Sequence, residues 1–208
     1  MSVSSALAFE LSQRIASIAV RRHDGTVLTT ALPEGRDAAE GVLLEVDRLM
    51  RRLEMRPSDL EMVAVSIGPG GFTGIRISIA AAQSIAHAAG ATAVGVPSAL
   101  VAVESSLGDD SAASALSLLA VKRRDDCCDA WVTKAIRRGG VWSIDGEPGL
   151  QRSDAWAGST VDVVVAERTL VANDVDHLPA ATRWVAPRFE ATACLAIADR
   201  LRGDRSDD

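Results

Sequence analysis

The chain is 208 residues long, 48% hydrophobic and 24% charged, proportions of an ordinary globular protein that exclude disorder and fibrous repeats. It carries 22 basic against 28 acidic side chains, a formal net charge of −6, so no basic footprint marks it as a protein that grips nucleic acid by itself. Aromatic residues make up 3%, with no Tyr at all, which argues against a base-stacking platform.

Three cysteines, the adjacent Cys127 and Cys128 and the distant Cys194, form neither a disulfide framework nor a zinc spacing and suit a reducing compartment. Met1 to Leu7 lacks the basic segment and apolar core of a signal peptide. The most apolar stretch, Ile75 to Val103, is broken by Gln83, His87, Gly90, Thr92 and Pro97 and falls short of the ~18 apolar residues of a membrane span. The expected location is the cytoplasm, away from the membrane.

In chain order, Ala6 to Phe9 reads as a first strand and Ile15 to Val20 as a second. His23-Asp24-Gly25-Thr26 makes a tight hairpin turn, and Val27 to Leu32 returns as a third strand ended by Pro33. A helix follows over 37–54, with Asp37 as its cap and Val42, Val46, Leu49 and Leu53 at helical spacing. Leu44 alone sits on its charged side. Met62 to Ile67 is a strand apolar on both faces, the mark of an internal parallel strand covered by helices. The loop Gly68-Pro69-Gly70-Gly71-Phe72-Thr73-Gly74 leads into a helix over 73–89 closed by Gly90. Thr92 to Val96 is a strand, and Pro97-Ser98 opens a helix to about Ser105.

The order β-β-β-α-β-α-β-α is that of the ribonuclease-H-like layered domain. Leu107 to Ala115 then reads as a linker. Beyond it, Leu116 to Val121, Ala130 to Ile136 and Val141 to Ile144 predict a second meander, with turns at Arg123 to Asp126 and Arg138 to Gly140. Val161 to Ala166 reads as a buried strand, Glu190 to Arg202 as a closing helix, and Gly203 to Asp208 as a fraying end. The expected division is 1–106 and a smaller, reduced second subdomain over 107–208 that includes the closing helix.

Gly68 to Gly74 is the most specific segment, placed where a strand hands over to a helix. Two readings stand side by side. Free N–H groups at the helix start could hold an anion; alternatively the glycines let strand, loop and helix backbones approach closely. The phosphate-cradling P-loop fails, because Ile75-Arg76 follow the last glycine instead of Lys and Ser/Thr, and the dinucleotide fingerprint fails at Thr73. Thr73 is expected to cap the helix and Phe72 to anchor the loop in the core. Along the helix, Ile75, Ile79, Ala82 and Ala86 make a core stripe, whereas Ile77, Ala81, Ser84 and Ala88 line roughly the opposite side with mostly small side chains. Arg76, Gln83 and His87 lie along a third edge that can form a polar rim.

Ser66 to Ile77, S-I-G-P-G-G-F-T-G-I-R-I, together with Val94-Gly95-Val96-Pro97-Ser98, closely resembles the bacterial TsaB (YeaZ) family. The resemblance covers Ala6 to Val103. It implies an α/β protein of the ribonuclease-H-like, actin-like ATPase (ASKHA) fold with two mixed-sheet subdomains. The function it implies is that of a non-catalytic subunit supporting TsaD in making threonylcarbamoyladenosine at position 37 of tRNA, with the ATPase TsaE as a further associate. The chain departs from the family pattern at several places. Glu10-Leu11-Ser12 stands where a strand ending in Asp-Thr-Ser is usual, and Ala38 where a His is frequent. Lys122 and Trp131 are remote substitutes for the usual Ala-Arg and Val-Tyr segment, and the customary Tyr-containing tail is absent.

His23, His87 and His177 show no ligand spacing, so the paired-histidine metal site that TsaD uses has no counterpart, and no protease nucleophile with its base can be assembled. Asp125, Asp126 and Asp129 around Cys127-Cys128 fit a charged turn. The leading expectation is an accessory subunit without catalysis, metal or cofactor. It would dock through the two helices, with Leu43, Leu44, Asp47, Met50, Arg76, Ala80, Gln83 and His87 as contacts. TsaD and TsaE homologues are the expected partners, with a homodimer when alone and tRNA reached only through the complex. The rival is an enzyme holding ATP or ADP with Mg in the cleft between the subdomains, with Glu10, Gly68, Gly70, Gly71, Thr73 and Gly74 at the phosphates. A third reading is a paralogue that kept the fold and binds only itself.

Overall fold

The computed structural model describes residues 3–32, 38–124, 127–152, 159–167 and 182–203. They form two units, Met1–Val101 with Phe189–Asp208, and Ala102–Arg188. The expected cap Asp37 and the charged-turn residues Asp125 and Asp126 lie outside the described residues, as do His177 and the last five positions.

In the first unit the strands are β1 (Ala6–Glu10), β2 (Ser17–Arg21), β3 (Val27–Ala31), β4 (Met62–Ser66) and β5 (Thr92–Val96). Helix α1 (Ala38–Arg52) joins β3 to β4, α2 (Phe72–Ala89) joins β4 to β5, and α3 (Ser98–Leu107) follows β5. The sheet order is β3-β2-β1-β4-β5. β1 and β3 run antiparallel to β2, whereas β1, β4 and β5 run parallel. This is the ribonuclease-H-like arrangement predicted from the element order. Helix α2 ends at Gly90, whose left-handed φ of 70° closes the last turn.

Strand alternation gives the sheet two unlike faces. Leu7, Phe9, Ile18, Val20, Val63 and Val65 pack against Val42, Val46, Leu49 and Met50 of α1, Leu53 just after it, and Ala82 and Ala86 of α2. Leu7, Phe9, Ile18 and Leu49 are at most 1% exposed, and each contributes about 1.5–3 kcal/mol by leaving water. The alternate positions Ala6, Ala8, Ala19 and Ala64 are small and fully buried. An alanine surface lets a helix axis come close, and helix α4 (Ala191–Gly203) contacts β1, β2, β4 and β5.

Helix α4 corrects the expected division of the chain. It was expected within the second subdomain, but it belongs with the first unit. Its buried residues Ala193, Cys194, Ile197 and Ala198 are small or apolar. Polar contacts hold it as well: Arg21 makes a bidentate pair with Asp199 at 2.6 and 2.8 Å, and the Ala191 N–H donates to Ser17 Oγ at 3.0 Å.

The second unit contains β6 (Ser114–Arg124), β7 (Cys127–Arg138), β8 (Val141–Ile144), β9 (Gly149–Arg152), β10 (Val163–Val165) and β11 (Arg183–Val185). The order is β11-β10-β6-β7-β8, with β9 also on β7. The predicted meander is β6-β7-β8, and the predicted buried strand is β10. Leu116, Leu118, Ala130, Val132, Val161, Val164 and Ala166 form its core. The Asp162 carboxylate accepts the Ala113 and Ser114 N–H groups, both at 2.8 Å, and so ties the approach to β10 to the start of β6. Among the described residues, no helix is long and apolar enough to cross a membrane.

Because the Arg21 side chain is only 9% exposed, losing its carboxylate partner strands a nearly buried guanidinium. Asp199→Ala is expected to lower the unfolding free energy by about 1–3 kcal/mol, read as a shift of the urea midpoint.

Candidate functional site

The glycine loop is built on the β1–β2 connection. Ser12 O accepts the Gly71 N–H at 2.7 Å. A Cβ placed on Gly70 would overlap Ser12 O, and one on Gly74 would overlap Leu11 O. Only glycine permits this approach, so the two residues are required for close packing of backbone on backbone. On the other side, Ser98 Oγ accepts the Gly68 N–H at 3.1 Å, and the Ser98 N–H donates to Gly68 O at 2.9 Å. The loop is thereby clasped between the start of α3 and residues 11–12.

Glu10, the last residue of β1, completes the clasp from below. It is fully buried. Its Oε1 accepts the Ser12 N–H at 2.9 Å and the Ser12 hydroxyl at 2.5 Å. Oε2 has no hydrogen-bond partner, nor has Ser66 Oγ. The register explains why these two meet: Ala8 faces Ala64 and Phe9 faces Val65 in parallel β1 and β4, so Glu10 comes level with Ser66. Burial pushes the Glu10 carboxyl up from the ordinary glutamate range, opposed by the Ser12 hydroxyl and N–H and by the nearby Ser66 hydroxyl. Cys194 faces the same interior from α4, and burial, with Glu10 second, raises its thiol well above the usual value.

These groups do not fit a nucleotide phosphate. The inner side of the loop meets the carbonyl oxygens of Leu11 and Ser12, and behind them a buried carboxyl. Oxygen dipoles turned toward an anion have the wrong sign. Of the six residues expected at the phosphates, Glu10, Gly70, Gly71 and Gly74 do come together, as a structural clasp. Gly68 bonds to Ser98, and Thr73 is exposed. The expected Thr73 cap is corrected: Gly71 is the N-cap residue of α2, without a side-chain cap, because the helix begins one residue earlier than predicted. Among the described residues, no group of three or more His, Cys, Asp or Glu could hold a metal ion.

The outward sides of α1 and α2 are the second feature. Leu43 and Leu44 are 58% and 67% exposed on α1. Asp47 is exposed and paired with Arg51 at 2.8 Å, one turn away. On α2, Arg76, Ala80, Gln83 and His87 are all exposed. Met50 is a correction: it lies in the core at 4% exposure, because it falls on the same side of α1 as Val46 and Leu53. The buried stripe of α2 is Ser78, Ala82 and Ala86, while Ile75, Ile77 and Ile79 are half-buried. Phe72, expected in the core, is 67% exposed, with the Arg76 guanidinium 3.7 Å from its ring centroid. The spacing of Phe72 and Arg76, one helical turn, is the signal that could have placed them on one surface.

A separate surface pocket of about 410 Å³ is lined by Arg22, His23, Glu54, Asp59 and Glu61 among others. Its charges are largely engaged: Arg22 with Asp24 at 2.5 Å, Asp59 with the Arg56 N–H at 2.7 Å, and Glu61 with the Ser5 N–H at 3.4 Å.

Comparison with known proteins bears on the fold and on one span of the sequence. The family model for TsaD, tRNA N6-adenosine threonylcarbamoyltransferase, matches residues 32–121, a span that holds α1, the glycine loop and α2. Uncharacterized proteins of Mycobacterium tuberculosis and Mycobacterium bovis are 37% identical over 78 residues, so the match spans 37% of this chain and only 37% of those relatives. A Pseudomonas aeruginosa protein with similarity to peptidase YeaZ superposes with a TM-score of 0.81 at 21% identity, covering 97% of this chain and 93% of the other. YeaZ from Pseudomonas aeruginosa superposes with a TM-score of 0.79 at 20% identity, covering 97% and 94%. The fold is YeaZ-like over nearly the whole chain.

Because the Glu10 carboxyl is raised in the folded state, folding binds a proton. Its contribution to stability is complete below the ordinary glutamate range and is lost as pH climbs through the raised value. In urea midpoints measured against pH, Glu10→Gln is expected to remove that downward slope and to match or exceed the parent at neutral pH.

Proposed function

We propose that the chain is an accessory subunit that docks through the outward sides of α1 and α2 onto a TsaD-type protein. In that complex it supports threonylcarbamoyl transfer to adenosine 37 of tRNA and makes no bond itself. The observation that carries the reading is the pair of neighbouring leucines, Leu43 and Leu44, more than half exposed on a helix whose Val42, Val46, Leu49 and Met50 are buried. Two adjacent exposed leucines suit an interface with an apolar centre and a charged rim. Asp47, Arg76, Gln83 and His87 provide such a rim, and Ala80 leaves room for a partner's side chain.

Further support comes from the match of residues 32–121 to the TsaD family and from the YeaZ-like fold. The lack of fit between loop 68–74 and a phosphate favours a docking role over nucleotide hydrolysis. TsaD and TsaE homologues of the same cell are the proposed partners. The same helices serve a homodimer when the chain is alone, tRNA is met only through the complex, and the site of action is the cytoplasm.

The test is co-purification with the TsaD homologue of the same cell, followed by calorimetry. A complex is expected, and its absence overturns the reading. Leu44→Arg is expected to weaken association at least about tenfold, the scale of one interface anchor, while leaving the melting temperature of the free chain within about 1 °C, as is usual for an exposed position. A large fall in melting temperature instead makes Leu44 a core residue.

A further inference from the structure

We propose that Glu10 is the positioning residue of the docking face, acting through Ser12 to fix where α2 begins. This rests on the docking reading above and deepens it. The route is continuous. Glu10 Oε1 holds both the N–H and the hydroxyl of Ser12. Ser12 O in turn holds the Gly71 N–H at 2.7 Å, and Gly71 is the N-cap of α2. Ser12 also lies against Gly70, and Leu11 O lies against Gly74 in the first turn of α2. One side chain at the end of the central strand thus sets the backbone position of residues 11–12, and these set the origin of the helix that carries Arg76, Ala80, Gln83 and His87.

The arrangement needs an oxygen acceptor at the reach of the Glu10 side chain. Its single carboxyl oxygen spans two donors of one residue, so it fixes the orientation of the Ser12 peptide as well as its distance. Burial leaves no water to replace it, because Glu10 and Ser12 are both fully buried. Glutamine keeps an oxygen acceptor at the same reach and presents an N–H₂ toward the unpartnered Ser66 Oγ. Alanine leaves both Ser12 donors open. A residue that merely filled core volume would also tolerate Gln and not Ala, so Ser12→Ala, which removes the hydroxyl and leaves the Glu10 volume in place, separates the two roles.

The experiment measures binding to the TsaD homologue by calorimetry, and amide hydrogen exchange of the free chain, for the parent, Glu10→Gln, Glu10→Ala and Ser12→Ala. Expected are binding within about twofold of the parent for Glu10→Gln and at least about tenfold weaker for Glu10→Ala. Ser12→Ala, which keeps the backbone bond and loses the hydroxyl, is expected to fall between them. Exchange at the Gly71 amide should quicken in Glu10→Ala and Ser12→Ala, while amides in the centre of α4 keep their protection. If Glu10→Ala does not fold, the Glu10→Gln and Ser12→Ala pair decides. Equal binding and equal Gly71 protection in parent and Ser12→Ala, or uniform loss of protection across the unit, overturns the proposal. Failure of the parent itself to bind overturns the docking reading instead, and the Gly71 exchange still tests the Glu10 route separately.

Discussion

The first unit depends on one close approach, the backbone of Leu11–Ser12 lying directly against the backbone of Gly70 and Gly74. These segments, about 60 residues apart in the chain, can touch at this distance only because Gly70 and Gly74 carry no Cβ. The contact sets the carbonyls of the β1–β2 connection against the inner side of the glycine loop, which makes that side an internal joint.

The unlike faces of the sheet distribute the remaining tasks. Large side chains on the Leu7, Phe9, Val63 and Val65 side keep α1 and α2 well anchored from below, which frees their outward sides from any duty to the core. On the alanine side, α4 fits closely enough to bury Cys194 completely. Glu10 sits where β1 ends on that second face, level with Ser66, and so links the two systems: the packing of α4 covers it, and its hydrogen bonds reach the loop that launches α2.

Most of the first unit was legible from periodicity. β4, β5, α1 and α2 fall within a residue or two of their expected ends, because each has a strong apolar pattern. Phe72 was misread because an aromatic in a glycine loop suggests burial, and its one-turn spacing to Arg76 becomes informative only once the helix is known to start at Phe72. Met50 was misread because it borders Leu49 in a doubly apolar step, where either residue could face out. The location of α4 could not be inferred from order alone. Its small apolar residues match an alanine-rich sheet face, but that face becomes visible only when Ala6, Ala8, Ala19 and Ala64 are seen side by side. In the second unit, β9 holds a single large apolar residue, Leu150, and β11 only three residues, too little for alternation to register.

The return of α4 to the first unit has a temporal consequence. During synthesis, β1 to β5 leave the ribosome roughly a hundred residues ahead of 191–203. At ordinary rates of translation that is an interval of about 5 to 20 s. Throughout it, the alanine face of the nascent sheet has no lid and Arg21 no acid to bind. The amino-terminal half is thus obliged to wait for a segment made long after it, and polypeptides released early from the ribosome display an uncovered sheet that chaperones and proteases can recognise as unfinished.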